Sequence, residues 1–199
     1  MNSQEKTHTT SLFNRELCKF YLHIEDYEHA IQIASHILSG DPTDSTALLV
    51  RGYIHEVRGN QPVALTYYDE ILKHHPTDSS ALKRKAIVEM NMHLDIKALS
   101  DINVAMNFDR SDSEVYFIRG MIYFYSYQKK IEAIVDYNKA LQLNPSNAQA
   151  LFHRGYAYLN YGNRDYARDD FIKATKFGSE DASEMLRIYF PQHKFNTAT

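Results

Sequence analysis

The residues best suited to chemistry in this chain are ten histidines and one cysteine, and their spacing assembles no site. A helical zinc site needs two histidines four residues apart, with a further ligand near them. His23, His29 and His36 are six and seven residues apart, and His74 and His75 are adjacent. We also find no glycine-rich phosphate loop and no nucleophile motif. The sequence therefore predicts no metal ion, no cofactor and no catalytic activity.

Composition narrows the remaining classes of function. The 199 residues include 22 basic and 25 acidic side chains, a net charge of -3, so no basic excess favours nucleic acid as a partner. Cys18 is the only cysteine, which excludes an internal disulfide and favours a reducing compartment. The start of the chain lacks the apolar core of a secretory signal. The longest uncharged stretch, Ala140 to His153, is too short to span a bilayer. We expect a cytoplasmic protein without membrane insertion.

A repeat of 34 residues sets the elements that position these side chains. Small residues recur with spacings of 34, 34, 34 and 35 at Cys18, Gly52, Ala86, Gly120 and Gly155. Alanines recur in step at Ala30, Ala64, Ala98, Ala133 and Ala167. Such a period indicates a stacked array, and apolar residues at three- and four-residue steps divide each unit into two helices. The small residues predict a close approach of these helices, and Cys18 is expected to be one of them rather than a nucleophile.

This pattern resembles the tetratricopeptide repeat, a 34-residue helix–turn–helix unit. The resemblance covers residues 11 to 181 and is clear in the last unit, ALFHRGYAYLNYGNRDYARDDFIKAT. It implies an all-α, right-handed α-solenoid of five helix–turn–helix repeats with a C-terminal capping helix. The expected segments are a flexible N-terminus (1–10), repeats 11–44, 45–78, 79–112, 113–147 and 148–181, a capping helix (182–190) and a tail (191–199).

Two details refine this organisation. Asp44, Asp78 and Asp112 share one repeat position just before a first helix, where each is expected to act as an N-cap. The fourth repeat has one extra residue, which we expect in the turn Ser126–Lys130.

The resemblance also implies that the first helices line a concave face that binds a partner. In the fourth repeat this helix, VYFIRGMIYFYSY, is apolar nearly all round, although its own hairpin needs only one face. Its other face predicts exposed apolar anchors, unless these side chains pack against neighbouring helices, the tail or a second copy. The expected groove residues are Arg15, Lys19, Leu49, Tyr53, Lys83, Arg84, Ile87, Phe117, Ile118, Met121, Phe124, Tyr125, Phe152 and Tyr156.

One subgroup of these arrays grips the C-terminal carboxylates of heat-shock chaperones with a clamp of lysines, asparagines and an arginine. The matching positions from the first repeat hold Arg15, Lys19, Val50, Ser80 and Arg84, so the central asparagine is missing. The standard clamp is therefore predicted to be absent.

The function we predict is a non-catalytic protein–protein interaction scaffold or adaptor. Its partner would be a protein or peptide segment with apolar anchors and with acidic residues near the end that faces the first repeat. A chaperone for a hydrophobic, secretion-type substrate and a self-associating structural subunit, a homo-oligomer, stay as alternatives.

Overall fold

The structure, a computed structural model, describes residues 3–191, with side chains from 12 to 191. Within that range the chain forms eleven α-helices and no strand. The helices are α1 (Ser3–His23), α2 (Tyr27–Gly40), α3 (Ser45–Val57), α4 (Gln61–His74), α5 (Ser79–Asn91), α6 (Asp95–Phe108), α7 (Ser113–Tyr125), α8 (Lys130–Leu143), α9 (Ala148–Tyr161), α10 (Arg164–Lys176) and α11 (Glu180–Tyr189). The all-α class and the consecutive helix pairing of an α-solenoid are confirmed.

Side-chain caps fix where the first helices begin. The carboxylate of Asp44 accepts from the backbone N–H of Ala47 at 2.9 Å, and that of Asp78 accepts from Ala81 at 2.9 Å. Asp112 caps α7 by accepting from the backbone N–H of Glu114, two residues on, at 2.8 Å. The predicted N-caps are therefore confirmed. Each satisfies a backbone donor that has no partner inside its helix.

The turns inside the hairpins share one left-handed residue at a constant repeat position. Glu25, Gly59, His93, Gln128 and Gly162 all have φ between 57° and 97°. Glycine adopts this conformation without strain, and the other three residues are held there by the helices on either side. The turn between α7 and α8 has four residues, whereas the turns before α4 and before α6 have three. The extra residue of the fourth repeat thus lies in the predicted turn.

The two ends of the chain differ in part from the expectation. The segment 1–10 was expected to be flexible, but α1 begins at Ser3, because nothing from there to His23 is a glycine or a proline that would end the helix. The expected tail, 191–199, lies outside the described residues from 192 onwards. The helix predicted over 182–190 is α11, which begins two residues earlier at Glu180.

The chain divides into an N-terminal unit, Met1–Ala105, and a C-terminal unit, Met106–Thr199. In the N-terminal unit each of α1 to α4 packs on the helix that follows it. Among the first helices, α1 contacts α3 and α3 contacts α5. In the C-terminal unit α7 to α10 form two hairpins, and α11 packs on α10 and covers its apolar flank. First helices therefore lie side by side within each unit.

The hairpins are tight at the small residues of the repeat. A Cβ atom added at Gly52 would lie 2.5 Å from Cε1 of Tyr68, and one added at Gly120 would lie 2.7 Å from Cε1 of Tyr137. Both tyrosine rings are fully buried. The predicted close approach is therefore confirmed, and a ring on the second helix is what limits the size of the first-helix residue.

Candidate protein-binding surfaces

The first helices of the N-terminal unit enclose a groove of about 500 Å³. The second half of α1, the start and middle of α3 and the start of α5 form its walls. Four of the predicted binding residues line it: Lys19, Leu49, Tyr53 and Arg84. The remaining lining residues are Leu22, His23, Ser45, Thr46, Val50, Asp78 and Ser80. The hydroxyl-bearing residues were missed because they lie at or near the helix N-termini, a position that a repeat pattern assigns to capping.

A network of polar contacts holds one end of this groove in place. The guanidinium of Arg84 lies 4.7 Å from the ring centre of Tyr53, a cation–π distance, and its Nη1 is 3.5 Å from Oε1 of Glu56. The hydroxyl of Tyr68 donates to Oε2 of Glu56 at 2.8 Å. Burial raises the pKa of Tyr68 above its usual value, so this hydroxyl stays protonated as a donor. Arg84 and Tyr53 are thus oriented before any partner arrives.

Three predicted groove residues of the N-terminal unit do not line the groove. Arg15 instead forms an ion pair with the cap of α3, its Nη2 lying 2.6 Å from Oδ2 of Asp44. Lys83 and Ile87 are half-buried on α5 and are not among the residues that line the groove. Val50, at the position where the chaperone clamp has asparagine, is buried at 3% exposure. Arg15, Lys83 and Ile87 are therefore outside the lining of this groove, and their place in a binding surface stays a prediction.

The C-terminal unit presents a cluster of partly exposed apolar side chains on α7 and α9. We call it the aromatic surface; it consists of Phe117, Met121, Tyr125, Phe152, His153 and Tyr156. Tyr125 is 43% exposed and the others are half-buried. The rings of Phe152 and Tyr156 are nearly parallel, with centres 6.4 Å apart. Five of the predicted groove residues therefore share one surface.

The two other predicted residues of α7 are core residues. Ile118 is 1% exposed and Phe124 is 8% exposed. Phe124 packs with Ala133, Tyr137 and Ala157 from the helices around it. For these two side chains the alternative of packing against neighbouring helices holds, because α8 and α9 each cover part of α7.

His153 is the centre of the aromatic surface. Its ring centre lies 5.4 Å from that of Phe117 and 5.2 Å from that of Phe152. Its Nδ1 is 3.1 Å from the hydroxyl of Tyr125. Burial lowers the pKa of His153 to about 4, so the imidazole is neutral at pH 7 and can share this hydrogen bond without a charge. The sequence places this histidine beside Phe152 but gives no signal that aromatic rings surround it.

Sequence reasoning missed a series of ion pairs within the hairpins. In the third, fourth and fifth repeats, the basic residue directly before the small first-helix residue binds an aspartate directly before the large second-helix residue. Arg119 binds Asp136 with two hydrogen bonds of 2.7 and 2.8 Å, and Arg154 binds Asp170 with two of 2.6 and 2.7 Å. Lys85 lies 3.0 Å from Asp101. The repeat spacing of these pairs was a signal available in the sequence.

The structure also shows the surroundings of the cysteine and of the possible metal ligands. Cys18 is buried, its Sγ lies 3.4 Å from the carbonyl oxygen of Ala30, and desolvation raises its pKa to about 11. Among the described residues, no three histidine, cysteine, aspartate or glutamate side chains are placed to hold a metal ion. In the same part of the chain, no helix is both long and apolar enough to cross a membrane.

Comparisons with known proteins agree with this architecture. A family model described as "TPR repeat" matches residues 124–162, whereas no curated protein matches at a significant level. TTC0263, described as a thermophilic TPR protein in Thermus thermophilus, shares the fold with a TM-score of 0.78 at 17% identity, covering 90% of this chain and 97% of that one. MamA 41-end from Desulfovibrio magneticus RS-1 gives a TM-score of 0.66 at 20% identity, covering 84% and 94%. Residues 124–162 thus match the TPR repeat, and the chain shares the fold of solved tetratricopeptide-repeat proteins.

Proposed function

We propose that this protein is a non-catalytic scaffold that binds a segment of a partner protein along the first helices of its repeats. The observation that carries the proposal is the groove of about 500 Å³ between α1, α3 and α5. Repeat arrays of this type generally act through such extended surfaces rather than through catalysis. With one buried, protonated cysteine, we place this activity in a reducing compartment, the cytoplasm.

The groove lining favours a segment that has both an acidic group and an apolar side chain. Lys19, His23 and Arg84 supply cationic or donor groups, while Leu49 and the ring of Tyr53 supply apolar contact. The one acidic side chain in the lining belongs to the aspartate that caps α5, and its carboxylate already accepts a backbone N–H. The lining itself therefore has more cationic than acidic side chains, with Lys19 paired to the exposed Glu16 at 2.8 Å and Arg84 to Glu56 at 3.5 Å.

The aromatic surface of the C-terminal unit supplies apolar anchors of its own. Aromatic residues and methionine are the types that concentrate binding energy in protein interfaces. Burying one such side chain contributes roughly 1.5–3 kcal/mol before the cost of association. We propose that it receives apolar side chains of the same partner class.

A displayed library of random twelve-residue peptides, selected on the full chain, tests this function. Selected peptides are synthesised and their Kd values measured by fluorescence anisotropy. Acidic peptides should lose about five- to tenfold in affinity for Lys19→Glu, whose reversed charge repels them. Lys73→Glu makes the same change on the second helix α4 and should leave the affinity unchanged.

Met121→Ser tests the apolar anchors in the same assay. Met121 is half-buried on the aromatic surface and packs against the edge of the core around Phe124, so its replacement removes apolar contact, and circular dichroism must show that the variant remains folded. Peptides with large apolar residues should bind it more weakly. A library from which no peptide responds to Lys19→Glu or to Met121→Ser would refute binding by the first helices.

A further inference from the structure

Tyr137 carries a buried hydroxyl group that has no hydrogen-bond partner. Its side chain is fully buried on α8, and its Oη has no partner among the described residues. A buried unpartnered hydroxyl destabilises the folded state, and such groups in native proteins have a specific reason. The chain therefore retains a group that reduces its stability.

Tyr68 shows what the same hydroxyl does elsewhere in the repeat. It occupies the matching position of α4, its ring meets the first-helix glycine through the same ring atoms as Tyr137, and its hydroxyl donates to Glu56 on α3 at 2.8 Å. In the hairpin of Tyr137 the position of Glu56 is held by Phe124, which cannot accept a hydrogen bond. The hairpin of Tyr137 therefore has the hydroxyl donor but lacks the acceptor that Glu56 provides in the hairpin of Tyr68.

The orphan hydroxyl belongs to the side of the hairpin that carries the aromatic surface. The ring of Tyr137 lies against those of Phe117 and His153, with ring centres 6.1 and 6.2 Å apart. His153 is held over it by the hydrogen bond to Tyr125, whose side chain is 43% exposed. Because Tyr137 is fully buried, a ligand reaches its hydroxyl only after side chains of the aromatic surface move.

We propose that the hydroxyl of Tyr137 is a binding group, which donates a hydrogen bond to a backbone carbonyl of a partner segment whose apolar side chain lies on the aromatic surface. The segment separates Tyr125 from His153 and supplies the acceptor that Glu56 provides to Tyr68. The occupant is thus an extended peptide with an apolar side chain and a free carbonyl next to it. This inference rests on the proposed function and adds the residue that forms a hydrogen bond with the peptide backbone.

The test compares two matched variants, Tyr137→Phe and Tyr68→Phe. The probes are the selected synthetic peptides whose binding depends on Met121. Tyr137→Phe should weaken their binding about five- to tenfold, as expected for the loss of one hydrogen bond, while its thermal midpoint stays equal or rises. Tyr68→Phe removes a partnered hydroxyl in the other unit and serves as the reference for stability, so it should lower the midpoint.

Three results would overturn the inference. One is an unchanged Kd for Tyr137→Phe. Another is a thermal midpoint lowered as much as in Tyr68→Phe, which would mean that the hydroxyl is already satisfied within the protein. The third is a peptide set that depends on Lys19 but never on Met121, in which case the scaffold function stands and the inference alone fails.

Discussion

The three glycines of the small-residue series each face an aromatic ring of the second helix in the same hairpin. A Cβ atom at Gly155 would lie 2.9 Å from Cε1 of Phe171, in line with the two tighter contacts to tyrosine. The other members of the series, Cys18 and Ala86, occur in repeats whose second helix has Ala34 or Ile102 at the aromatic position. The first helix therefore has glycine where the second helix has an aromatic ring, and a larger residue where the second helix has a smaller one, as close packing requires.

This complementarity predicts the effect of adding one methyl group at Gly52. Gly52→Ala gains about 1 kcal/mol of helix propensity but forces a Cβ to within 2.5 Å of the buried ring of Tyr68. Overpacking of this kind costs typically 1–3 kcal/mol, so we expect a net loss of stability of about 1 kcal/mol. Urea denaturation followed by circular dichroism measures it.

Gly40→Ala is the control for this substitution. Gly40 ends α2 with nothing within 4 Å of an added Cβ and without a left-handed φ. Its replacement should be neutral or slightly stabilising. Equal effects at Gly52 and Gly40 would show that ring contact does not limit the first-helix residue.

The spacing of residues in the sequence predicts part of the binding surface, but it does not predict which of these side chains are buried. The sequence correctly puts Lys19 and Arg84 on first helices, where they line the groove. It cannot show that Phe124 is core, because a helix that is apolar all round gives no direction in which its neighbours lie. It also cannot show that Arg15 is engaged by Asp44, since that pair joins side chains 29 residues apart.

Between elements, Arg154 joins three helices. From α9 its guanidinium forms two hydrogen bonds with Asp170 on α10, and its Nη1 donates to Oδ1 of Asn138 on α8 at 2.7 Å. Lys85 on α5 plays the same part in the N-terminal unit, lying 2.9 Å from Asp69 on α4 and 3.0 Å from Asp101 on α6. One basic residue thus fastens its own hairpin and ties it to the preceding second helix.

Asp170→Asn tests this fastening. Asp170 is 3% exposed, so loss of its charge leaves the guanidinium of Arg154 half-buried without a carboxylate. Breaking a buried pair in this way costs about 3 kcal/mol or more, and the thermal midpoint should fall accordingly. Asp169→Asn makes the same change at the next residue, which is exposed and 3.7 Å from Arg168, and should shift stability by less than about 0.5 kcal/mol. Similar midpoints for the two variants would contradict the role of Arg154.

The elements themselves were largely predictable. A period shared by small residues, alanines and caps fixes helix number and order, because each repeat must bury its apolar face against its neighbours. The length of α1 was not predictable in the same way, since polar residues without a breaker suit a helix and an irregular segment equally well. The ion pairs join charged side chains, which do not contribute to apolar periodicity. A search for apolar periodicity therefore does not find them.

Over the whole molecule, the two units contain buried groups that respond to pH in opposite directions. Glu89 in the N-terminal unit is 1% exposed, its Oε2 has no partner, and desolvation, with the charge of Asp101, raises its pKa to about 7 although Lys85 lies 3.8 Å away. His153 in the C-terminal unit has its pKa lowered to about 4 by burial. Each group prefers its neutral form in the folded protein.

Linkage fixes the sign of each effect. Between pH 4.5 and about 7 the folded state keeps the Glu89 proton that the unfolded chain has lost, so the N-terminal unit gains stability as the pH falls through this range. Between pH 6.5 and about 4 the unfolded chain protonates His153 while the folded state does not, so the C-terminal unit loses stability as the pH falls. Repeat arrays can open locally, so the two effects should be separable along the chain.

Hydrogen exchange read by mass spectrometry on peptides from α3 to α5 and from α7 to α10 measures both units in one sample. On going from pH 7.5 to pH 5.5, after correction for the intrinsic exchange rate, protection should rise in the first group and fall in the second. Glu89→Gln should abolish the rise alone, because it keeps the neutral form at every pH, and His153→Phe should abolish the fall alone. If both units changed in the same direction, or if each variant altered both, then these two buried groups would not set the pH response and the units would not open independently.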